Sequence, residues 1–454
     1  MLQFNKESWI ILISAFWGAS LIAACDVTGP KLGFGNSCKL CHANVEQKNH
    51  EFRCVVCHRG DDHALKKETA HRGLIPTPAS PDTAMISCGR CHRKEALSSL
   101  STLHYTLSNK IGVVWKAFFP DDTPPASIKD LPVEVPLRTL KGLVADLLRR
   151  RCARCHLYSK GDGYPGTRRG LGCAACHMDS DSPRFVHRFK GRVKDENCLS
   201  CHHGNFVGWD YVGRYDKDIT ENFQVPVING QYEQFSYGIQ WLQMNPDIHW
   251  KLGYGCVDCH TKGPCQGKDG VKAITCRSCH TLPEPRNMLG HGPRDDNIIS
   301  CAVCHALWSF NDKGRTLVRQ DVANYWAWYD LRFQGIRSIE LFLKENYFVD
   351  VMAWPNPFMM DPLTGRAESG IWYETFLERR FWPVMLGKDL SGRIMVMRPL
   401  LDLSLIYVAQ DGDILVEGLR PEVRSAYIPY LPHTIGKADL FRTIEALRML
   451  DDDE

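Results

Sequence analysis

The stretch Cys173-Ala-Ala-Cys-His177 contains the pattern that decides how this chain folds, and the pattern occurs nine times. In each copy two cysteines are separated by two residues, and a histidine follows the second cysteine directly. The nine copies use eighteen of the twenty cysteines in a chain of 454 residues. The pattern is therefore a property of the chain from residue 38 to residue 305, and we number the motifs one to nine in chain order.

This spacing suits the covalent attachment of heme. Two thiols three residues apart can add to the two vinyl groups of one heme, and the next residue then provides the proximal iron ligand. Zinc ribbons and thiol-redox proteins also use paired cysteines, but they do not require a histidine at the fifth position. Since the histidine is present in every copy, the sequence predicts nine hemes c.

The predicted site residues follow directly from the motifs. The thioether cysteines are Cys38, Cys41, Cys54, Cys57, Cys88, Cys91, Cys152, Cys155, Cys173, Cys176, Cys198, Cys201, Cys256, Cys259, Cys276, Cys279, Cys301 and Cys304. The proximal ligands are His42, His58, His92, His156, His177, His202, His260, His280 and His305.

The motifs form three triads, at 38–92, 152–202 and 256–305. The motif starts are 21 and 25 residues apart in the second triad, and 20 and 25 apart in the third. A further histidine, His187 or His291, lies at the corresponding place in each of these two triads. The similarity predicts a duplicated unit, which the spacing of the first triad fits poorly.

Nine histidines lie outside the motifs, and eight of them fall within the heme-binding stretch. Iron in such proteins is usually capped on its second face, so these residues are the candidates for distal ligands. His187 and His291 are favoured by their repeated position, and His203 can serve only a heme other than that of its neighbour His202. The candidates are His50, His63, His71, His104, His187, His203, His249, His291 and His433.

Other sulfur side chains leave alternatives open. Methionine can replace histidine as a distal ligand, and Met85, Met178 and Met288 are within reach by sequence, without a pattern. Cys265 belongs to no motif, and it is either an idle thiol or a sulfur ligand at an unusual heme.

The first residues predict export and a lipid anchor. Lys6 precedes a mostly apolar run, and Ile22-Ala-Ala-Cys25 resembles the cleavage site of bacterial lipoproteins. Cleavage would leave Cys25 to carry the lipid, and an uncleaved membrane anchor is the alternative. We expect an exported protein that is anchored to a bacterial membrane and faces the periplasm or the cell surface.

The density of motifs predicts the fold class. The stretch 38–305 leaves about 30 residues for each heme, too few for a conventional core around each one. We expect a mostly irregular chain with short α-helices around stacked hemes, and a C-terminal α+β segment without heme motifs. The predicted segments are a signal peptide (1–24), a lipid-anchored linker (25–37), the first triad (38–92), a connector (93–151), the second triad (152–202), a connector (203–255), the third triad (256–305) and a heme-free, aromatic-rich C-terminal domain (306–454).

Three local elements are predicted from periodicity. Residues 137–150 carry Leu140, Val144, Leu147 and Leu148 at helical spacing, which indicates an amphipathic helix that leads into the fourth motif. Residues 403–417 alternate around Gln-Asp-Gly and indicate a β-hairpin. Residues 437–450 have the apolar spacing of a helix.

The motifs together with the lipoprotein-like start resemble the multiheme c-type cytochromes of metal- and sulfur-respiring bacteria. The resemblance covers residues 25–305. It implies electron transfer with redox proteins as partners, either a quinol-oxidising membrane donor or other cytochromes, and respiratory or extracellular electron transport as the setting. The alternative is a multiheme reductase of nitrogen or sulfur oxyanions with one open heme. The near-neutral formal charge of +3 argues against nucleic acid as a partner.

Overall fold

A computed structural model describes most of the chain. The described residues are 37–43, 45–164, 166–179, 186–203, 208–217, 227–228, 231–232, 241–260, 275–281, 290–292, 295–324, 326–328, 336–346, 348–421 and 427–451. The predictions for the signal peptide, Cys25, Cys265 and Met288 lie outside these residues.

Short helices follow the motifs. With one exception, the described α-helices between residues 38 and 305 have four to seven residues, which is what a chain folded around regularly spaced attachment sites would form. The α-helices are Cys38–Cys41, Cys54–His58, Lys67–Ala70, Arg93–Ser99, Leu103–Thr106, Ser108–Phe118, Leu140–Asp146, Cys173–His177, Asp195–Leu199, Ile248–Lys251, Cys256–Cys259, Asp295–Ile298, Cys301–His305, Arg337–Asn346 and Leu440–Asp451. Single 3-10 turns occupy Cys88–Arg90, Ile128–Asp130, Ala153–Cys155, Cys276–Ser278 and Val351–Ala353, and a π-helix occupies Leu147–Cys152.

Strands are sparse before residue 306 and frequent after it. The described strands are Glu46–Lys48, Val186–Arg188, Arg214–Asp216, Val227–Ile228, Gln231–Tyr232, Trp241–Gln243, Asn311–Gln320, Phe358–Met360, Ala367–Ser369, Ile371–Arg380, Leu386–Lys388, Ile394–Pro399, Leu403–Val408, Ile414–Leu419 and Tyr427–Pro429.

The largest sheet has four strands and belongs to the C-terminal part of the chain. Asn311–Gln320 pairs antiparallel with Ile371–Arg380 on one side and parallel with Leu403–Val408 on the other, and Ile414–Leu419 completes the sheet. In Leu403–Val408 every second residue is buried, because side chains alternate between the two faces of a strand. This sheet therefore has one face in a core, and we call it the central sheet.

The central sheet shares its core with the connector between the first two triads. Val114 and Trp115 of the helix Ser108–Phe118 and Leu143 of the helix Leu140–Asp146 pack in one buried cluster with Trp372 and Leu405 of the sheet. The segment predicted as a separate heme-free domain thus buries its apolar face against residues that precede the fourth motif.

The ninth motif lies in a second cluster. Ala302 and Val303 pack with Ile394 and Val396 of a three-stranded antiparallel sheet and with Ala446 of the C-terminal helix. Burial of these apolar side chains from both sides gives the last motif a solid support.

The predicted local elements are confirmed with shifted bounds. The hairpin forms from Leu403–Val408 and Ile414–Leu419, and the last helix begins at Leu440. The connector helix also begins at residue 140 and continues as a π-helix into the fourth motif. Leu140 is exposed, whereas Leu143, which the apolar spacing left out, is buried.

The described residues agree with the coarser part of the expected fold: short helices, several small sheets and a C-terminal region of mixed strands and helices. Within them, no helix has the length and apolar character that a bilayer crossing requires.

Candidate heme sites

The motif helices bring the three predicted heme-attachment groups together. Cys54–His58, Cys173–His177 and Cys301–His305 are each a five-residue helix. Residues three and four positions apart are neighbours on a helix surface. Both cysteines and the histidine of such a motif therefore face the same side of the chain.

Three of these proximal histidines are oriented by backbone carbonyls. Nδ1 of His58 lies 3.0 Å from the carbonyl oxygen of Ile75. Nδ1 of His177 lies 3.1 Å from that of Lys190, and Nδ1 of His305 lies 3.0 Å from that of Gly436. A proton held on Nδ1 leaves the lone pair of Nε2 for a metal, which is the usual arrangement of a ligating histidine.

In seven motifs the histidine ring faces a second histidine ring across a narrow range of distances. All eighteen histidines lie in the described residues, so every possible partner is visible. The distances between ring centroids are 6.2 Å for His42 and His71, 6.0 Å for His58 and His187, 6.2 Å for His92 and His50, 6.1 Å for His202 and His104, 6.2 Å for His260 and His433, 5.8 Å for His280 and His249, and 6.1 Å for His305 and His291.

This separation fits one iron atom between two imidazoles. Metal–nitrogen bonds of about 2 Å on opposite sides of the metal place the ring centres roughly 6 Å apart. Ordinary aromatic pairs also occur at about 4.5–7 Å, so the distance alone is not decisive. In each of the seven pairs, however, one ring belongs to a motif and the other to a histidine that the sequence predicts as a distal ligand. The residues present therefore fit heme.

In four of the seven pairs the partner histidine comes from outside the triad of the motif. His187, in the second triad, faces His58 of the first. A short parallel pairing of Glu46–Lys48 with Val186–Arg188 places it there, with His187 itself in the strand. His50, two residues after the first strand, faces His92. One pair of strands therefore positions two distal candidates.

The C-terminal part contributes a histidine to the third triad. His433 faces His260 of the seventh motif, and its neighbours are tied to the ninth motif through hydrogen bonds from Leu307 N to Thr434 O (2.8 Å) and from Gly436 N to His305 O (2.9 Å). The segment that lacks motifs is thus in contact with two motifs of the third triad.

The fourth motif departs from this arrangement. His156 has 1% of its surface exposed, and its Nε2 lies 2.9 Å from the carbonyl oxygen of Tyr105. Burial lowers the pKa of His156 to about 4, so the ring is neutral and donates from Nε2, the atom that His58, His177 and His305 leave available for a metal. Among the described residues, no second histidine ring lies at the pair distance. In this structure His156 does not present the ligand geometry of its counterparts.

The fifth motif has an oriented histidine that no histidine ring of the described residues faces. His177 is exposed and donates from Nδ1 to a carbonyl, but the described residues place no histidine ring against it. The two candidates left are His63, whose Nε2 lies 3.3 Å from Arg53, and His203, whose Nδ1 lies 3.2 Å from the carbonyl oxygen of Ser200. The structure brings neither one to a motif histidine.

Cysteines of different motifs interact with one another in an alternating order. First cysteines share hydrogen bonds between motifs one and two, three and five, six and seven, and eight and nine, in the pairs Cys38–Cys54, Cys88–Cys173, Cys198–Cys256 and Cys276–Cys301. Second cysteines are close enough to interact electrostatically between motifs two and three, four and six, and seven and eight, in the pairs Cys57–Cys91, Cys155–Cys201 and Cys259–Cys279. The contacts join the motifs into two runs, 1–2–3–5 and 4–6–7–8–9.

Tyr105 lies where the two runs meet. Its hydroxyl hydrogen-bonds to Cys173 of the fifth motif, and its carbonyl accepts from His156 of the fourth. The preceding residue, His104, faces His202 of the sixth motif.

Most motif cysteines are free thiols in this structure, as thioether attachment requires. The hydrogen bond from Cys88 lowers the pKa of Cys173 to about 7, and that from Cys276 lowers the pKa of Cys301 to about 6. Cys41 differs, because it is disulfide-bonded, and a disulfide and a thioether are alternatives at that sulfur.

Two buried carboxylates beside the third triad were not predicted from the sequence. Asp247 Oδ1 lies 2.8 Å from His249 Nδ1, and Asp210 Oδ2 accepts the backbone N–H of His433 at 2.9 Å. Burial opposes ionisation of Asp210, but the hydrogen bonds from His433 and Tyr430 hold the pKa of the carboxyl below its ordinary value. Asp247 precedes the helix Ile248–Lys251 as its N-cap, a signal the sequence offered; Asp210 offered none.

The two methionine candidates that lie within the described residues make other contacts. Met85 packs beside Gly89 of the third motif, and Met178 pairs through its backbone with Phe189. Within the described residues, no group of three or more His, Cys, Asp or Glu side chains is arranged to hold a metal ion by itself. A heme iron takes two ligands from the protein, so the histidine pairs are sites of a different kind.

Comparison with known proteins adds no relative. No protein-family model matches the chain, and neither the search of characterised proteins nor that of solved structures returned a significant match. The functional argument therefore depends on the geometry of the chain itself.

Proposed function

We propose that this protein is an electron-transfer conduit that carries nine hemes c. The observation that carries the proposal is the set of seven histidine pairs with ring centroids 5.8–6.2 Å apart, each combining a motif histidine with a predicted distal ligand. When bound, the hemes would supply the one-electron carriers. The chain supplies their attachment, their axial ligands and their spacing.

The contact order of the cysteines supports conduction. Each sulfur in such a contact would be bonded to the edge of its own heme, so cysteines in contact place two attachment sites side by side. The alternation of first-cysteine and second-cysteine contacts extends over both runs of motifs, and Tyr105 connects the runs through contacts to the fourth and fifth motifs. This order supports one continuous series of attachment sites.

Two ligands from the protein also suit electron transfer better than catalysis. A histidine on each face leaves no iron position for a substrate, and rigid ligands keep the rearrangement on reduction small. The proposed partners are redox proteins, either a quinol-oxidising membrane donor or other cytochromes. The proposed location is a bacterial membrane that the protein reaches by export and holds through a lipid on Cys25.

A reductase with an open heme is the second candidate, and a specific observation favours it. Among the described residues, no histidine ring faces the motif histidine of the fourth or the fifth motif, so a heme attached there would lack a second histidine ligand. Turnover of nitrite, hydroxylamine or sulfite by the reduced protein would support this candidate.

The direct test begins with the cofactor. Mass spectrometry of the mature protein and the absorption of the pyridine adducts should both give nine hemes per chain. A count of zero, with the motif cysteines recovered as zinc ligands or as disulfides throughout, would overturn the proposal.

Conduction is then tested by removing one link. Cys198→Ala with Cys201→Ala removes the sixth site, which lies inside a run, whereas Cys38→Ala with Cys41→Ala removes the first site, at the end of a run. Current through single molecules held between electrodes should fall strongly in the first variant and little in the second. Equal currents in the two variants would contradict a linear conduit.

A further inference from the structure

Asp247 is a buried carboxylate whose partners call for an explanation beyond folding. It has 2% of its surface exposed, and its Oδ1 accepts hydrogen bonds at 2.8 Å from the backbone N–H of His249 and at 2.8 Å from His249 Nδ1. Its Oδ2 accepts the backbone N–H of Ile435 at 2.7 Å. A buried charge is costly unless it is paired and hydrogen-bonded, and here the partners are an imidazole and two amides.

Helix capping accounts for only part of this arrangement. An N-cap side chain needs one contact to the first turn, and the backbone N–H of His249 supplies it. The contact to the imidazole is additional. It holds the ring of His249 at 5.8 Å from that of His280 in the eighth motif.

The charge of this partner distinguishes His249 from other oriented histidines. His58, His177 and His305 donate from Nδ1 to neutral backbone carbonyls. A hydrogen bond to a carboxylate is about twice as strong as one to a neutral acceptor. It draws the Nδ1 proton away from the ring and makes Nε2 a better electron donor to a metal.

We infer that Asp247 is a positioning residue that aims His249 at the heme of Cys276 and Cys279 and lowers the reduction potential of that heme. A more electron-donating ligand stabilises ferric iron over ferrous iron, and hydrogen bonding to ligands is one of the means by which proteins set heme potentials. This inference depends on the proposed heme ligation.

The neighbouring site has a similar partner. Asp210, with no exposed surface, accepts hydrogen bonds from the backbone N–H of His433 and from Tyr430 Oη (2.6 Å), and its Oδ2 lies 3.7 Å from His433 Nδ1. His433 faces His260 of the seventh motif, which adjoins the eighth through Cys259 and Cys279. Asp247 makes the shorter contact to an imidazole, so it provides the sharper test.

The experiment compares Asp247→Asn with Asp258→Asn in the holoprotein. Both variants remove one negative charge near the third triad, but Asp258 contacts the Gly255 amide and Arg192, and the structure shows no contact from it to a histidine. The redox titration curve of the wild-type protein is subtracted from that of each variant. In Asp247→Asn, the reduction equilibrium of one heme of the nine should shift about tenfold towards ferrous iron, which corresponds to a reduction potential about 59 mV higher for one electron. Asp258→Asn should show a smaller change, and Asp247→Glu should restore the wild-type titration.

Spectroscopy separates this effect from a loss of structure. Asp247→Asn should keep all nine hemes and shift the low-spin resonance of one of them, because asparagine still caps the helix. A variant with nine hemes and an unchanged titration would overturn the inference while leaving the conduit intact. A wild-type protein without heme at Cys276 and Cys279 would overturn the proposed function, and the inference with it.

Discussion

The second and third triads have almost the same motif spacing, yet the structure completes them differently. In the third triad all three motif histidines face another histidine, in part through residues far along the chain such as His433. In the second triad only His202 does. The first triad, whose spacing fits the repeat poorly, is complete like the third.

The difference teaches that cysteine spacing and ligand supply are separate properties. Spacing decides where a heme can be attached, within five consecutive residues. The second imidazole comes from the part of the fold that lies opposite the motif histidine. His187 and His291, which have corresponding positions in their triads, illustrate this. His291 faces a motif of its own triad, whereas His187 faces one of the first triad.

The largest expected effect separates these two histidines. His291→Ala and His187→Ala should each convert one heme completely from low spin to high spin, because an iron that loses an imidazole keeps one protein ligand. Electron paramagnetic resonance of the oxidised variants measures the conversion.

The affected heme should differ between the two variants. In a background without the second site (Cys54→Ala with Cys57→Ala), His187→Ala should add no further high-spin signal, whereas His291→Ala should add one. An additional high-spin signal from His187→Ala in that background would contradict the assignment of His187 to the heme of the second motif.

The incomplete sites of the second triad give the next effect. The reduced wild-type protein should bind carbon monoxide at no more than two hemes, those of the fourth and fifth motifs. His63→Ala and His203→Ala should leave that stoichiometry unchanged, since neither ring faces a motif histidine. If the wild-type protein binds no carbon monoxide and one of the two variants binds one molecule, the substituted histidine is a distal ligand in the second triad.

Attachment of the fourth motif to the C-terminal part of the chain gives a third prediction. The connector helix is tied to the C-terminal part by Arg149, whose Nε lies 2.8 Å from Asp361, and both side chains are buried. Asp361→Ala leaves a buried guanidinium short of a partner and should lower the free energy of unfolding by about 3–5 kcal/mol.

Denaturant unfolding measures this change. Lys129→Ala, which removes the surface ion pair with Asp82, is the matched control and should cost about 1 kcal/mol or less. Equal losses in the two variants would mean that the buried pair does not hold the motif to the C-terminal part of the chain.

The smallest expected effect concerns the junction between the runs. Tyr105→Phe removes the hydroxyl next to Cys173 but keeps the backbone carbonyl that accepts from His156. We expect about 1 kcal/mol of lost stability and little change in single-molecule current. A current as low as that of the variant without the sixth site would show that the hydroxyl itself is needed for transfer.

The residues of the candidate heme sites could be predicted from the sequence better than the pairing of their histidines. The motif pattern and the placement of the remaining histidines predict nine distal candidates, and the structure places seven of them opposite motif histidines. Which histidine faces which motif could not be predicted, because His187 reaches His58 through a strand pairing between distant segments. Local spacing carries no information about such a contact.

The fold shows the same division. The hairpin within Leu403–Leu419 is local, and alternation predicts it. The parallel pairing of Leu403–Val408 with Asn311–Gln320 joins segments about 90 residues apart, and no local pattern marks it. Nothing in the sequence distinguishes the carboxylates of Asp247 and Asp210 as buried, and the fold places both of them in the interior.

The long reach of the distal candidates has a consequence for biogenesis. Synthesis proceeds from the N-terminus, so His58 is made well before His187, and His260 before His433. A heme attached early would wait with one face uncapped until the later segment arrives. A chain that ends before His433, even with every motif intact, would leave the iron at His260 without its second histidine and open to oxygen or small ligands.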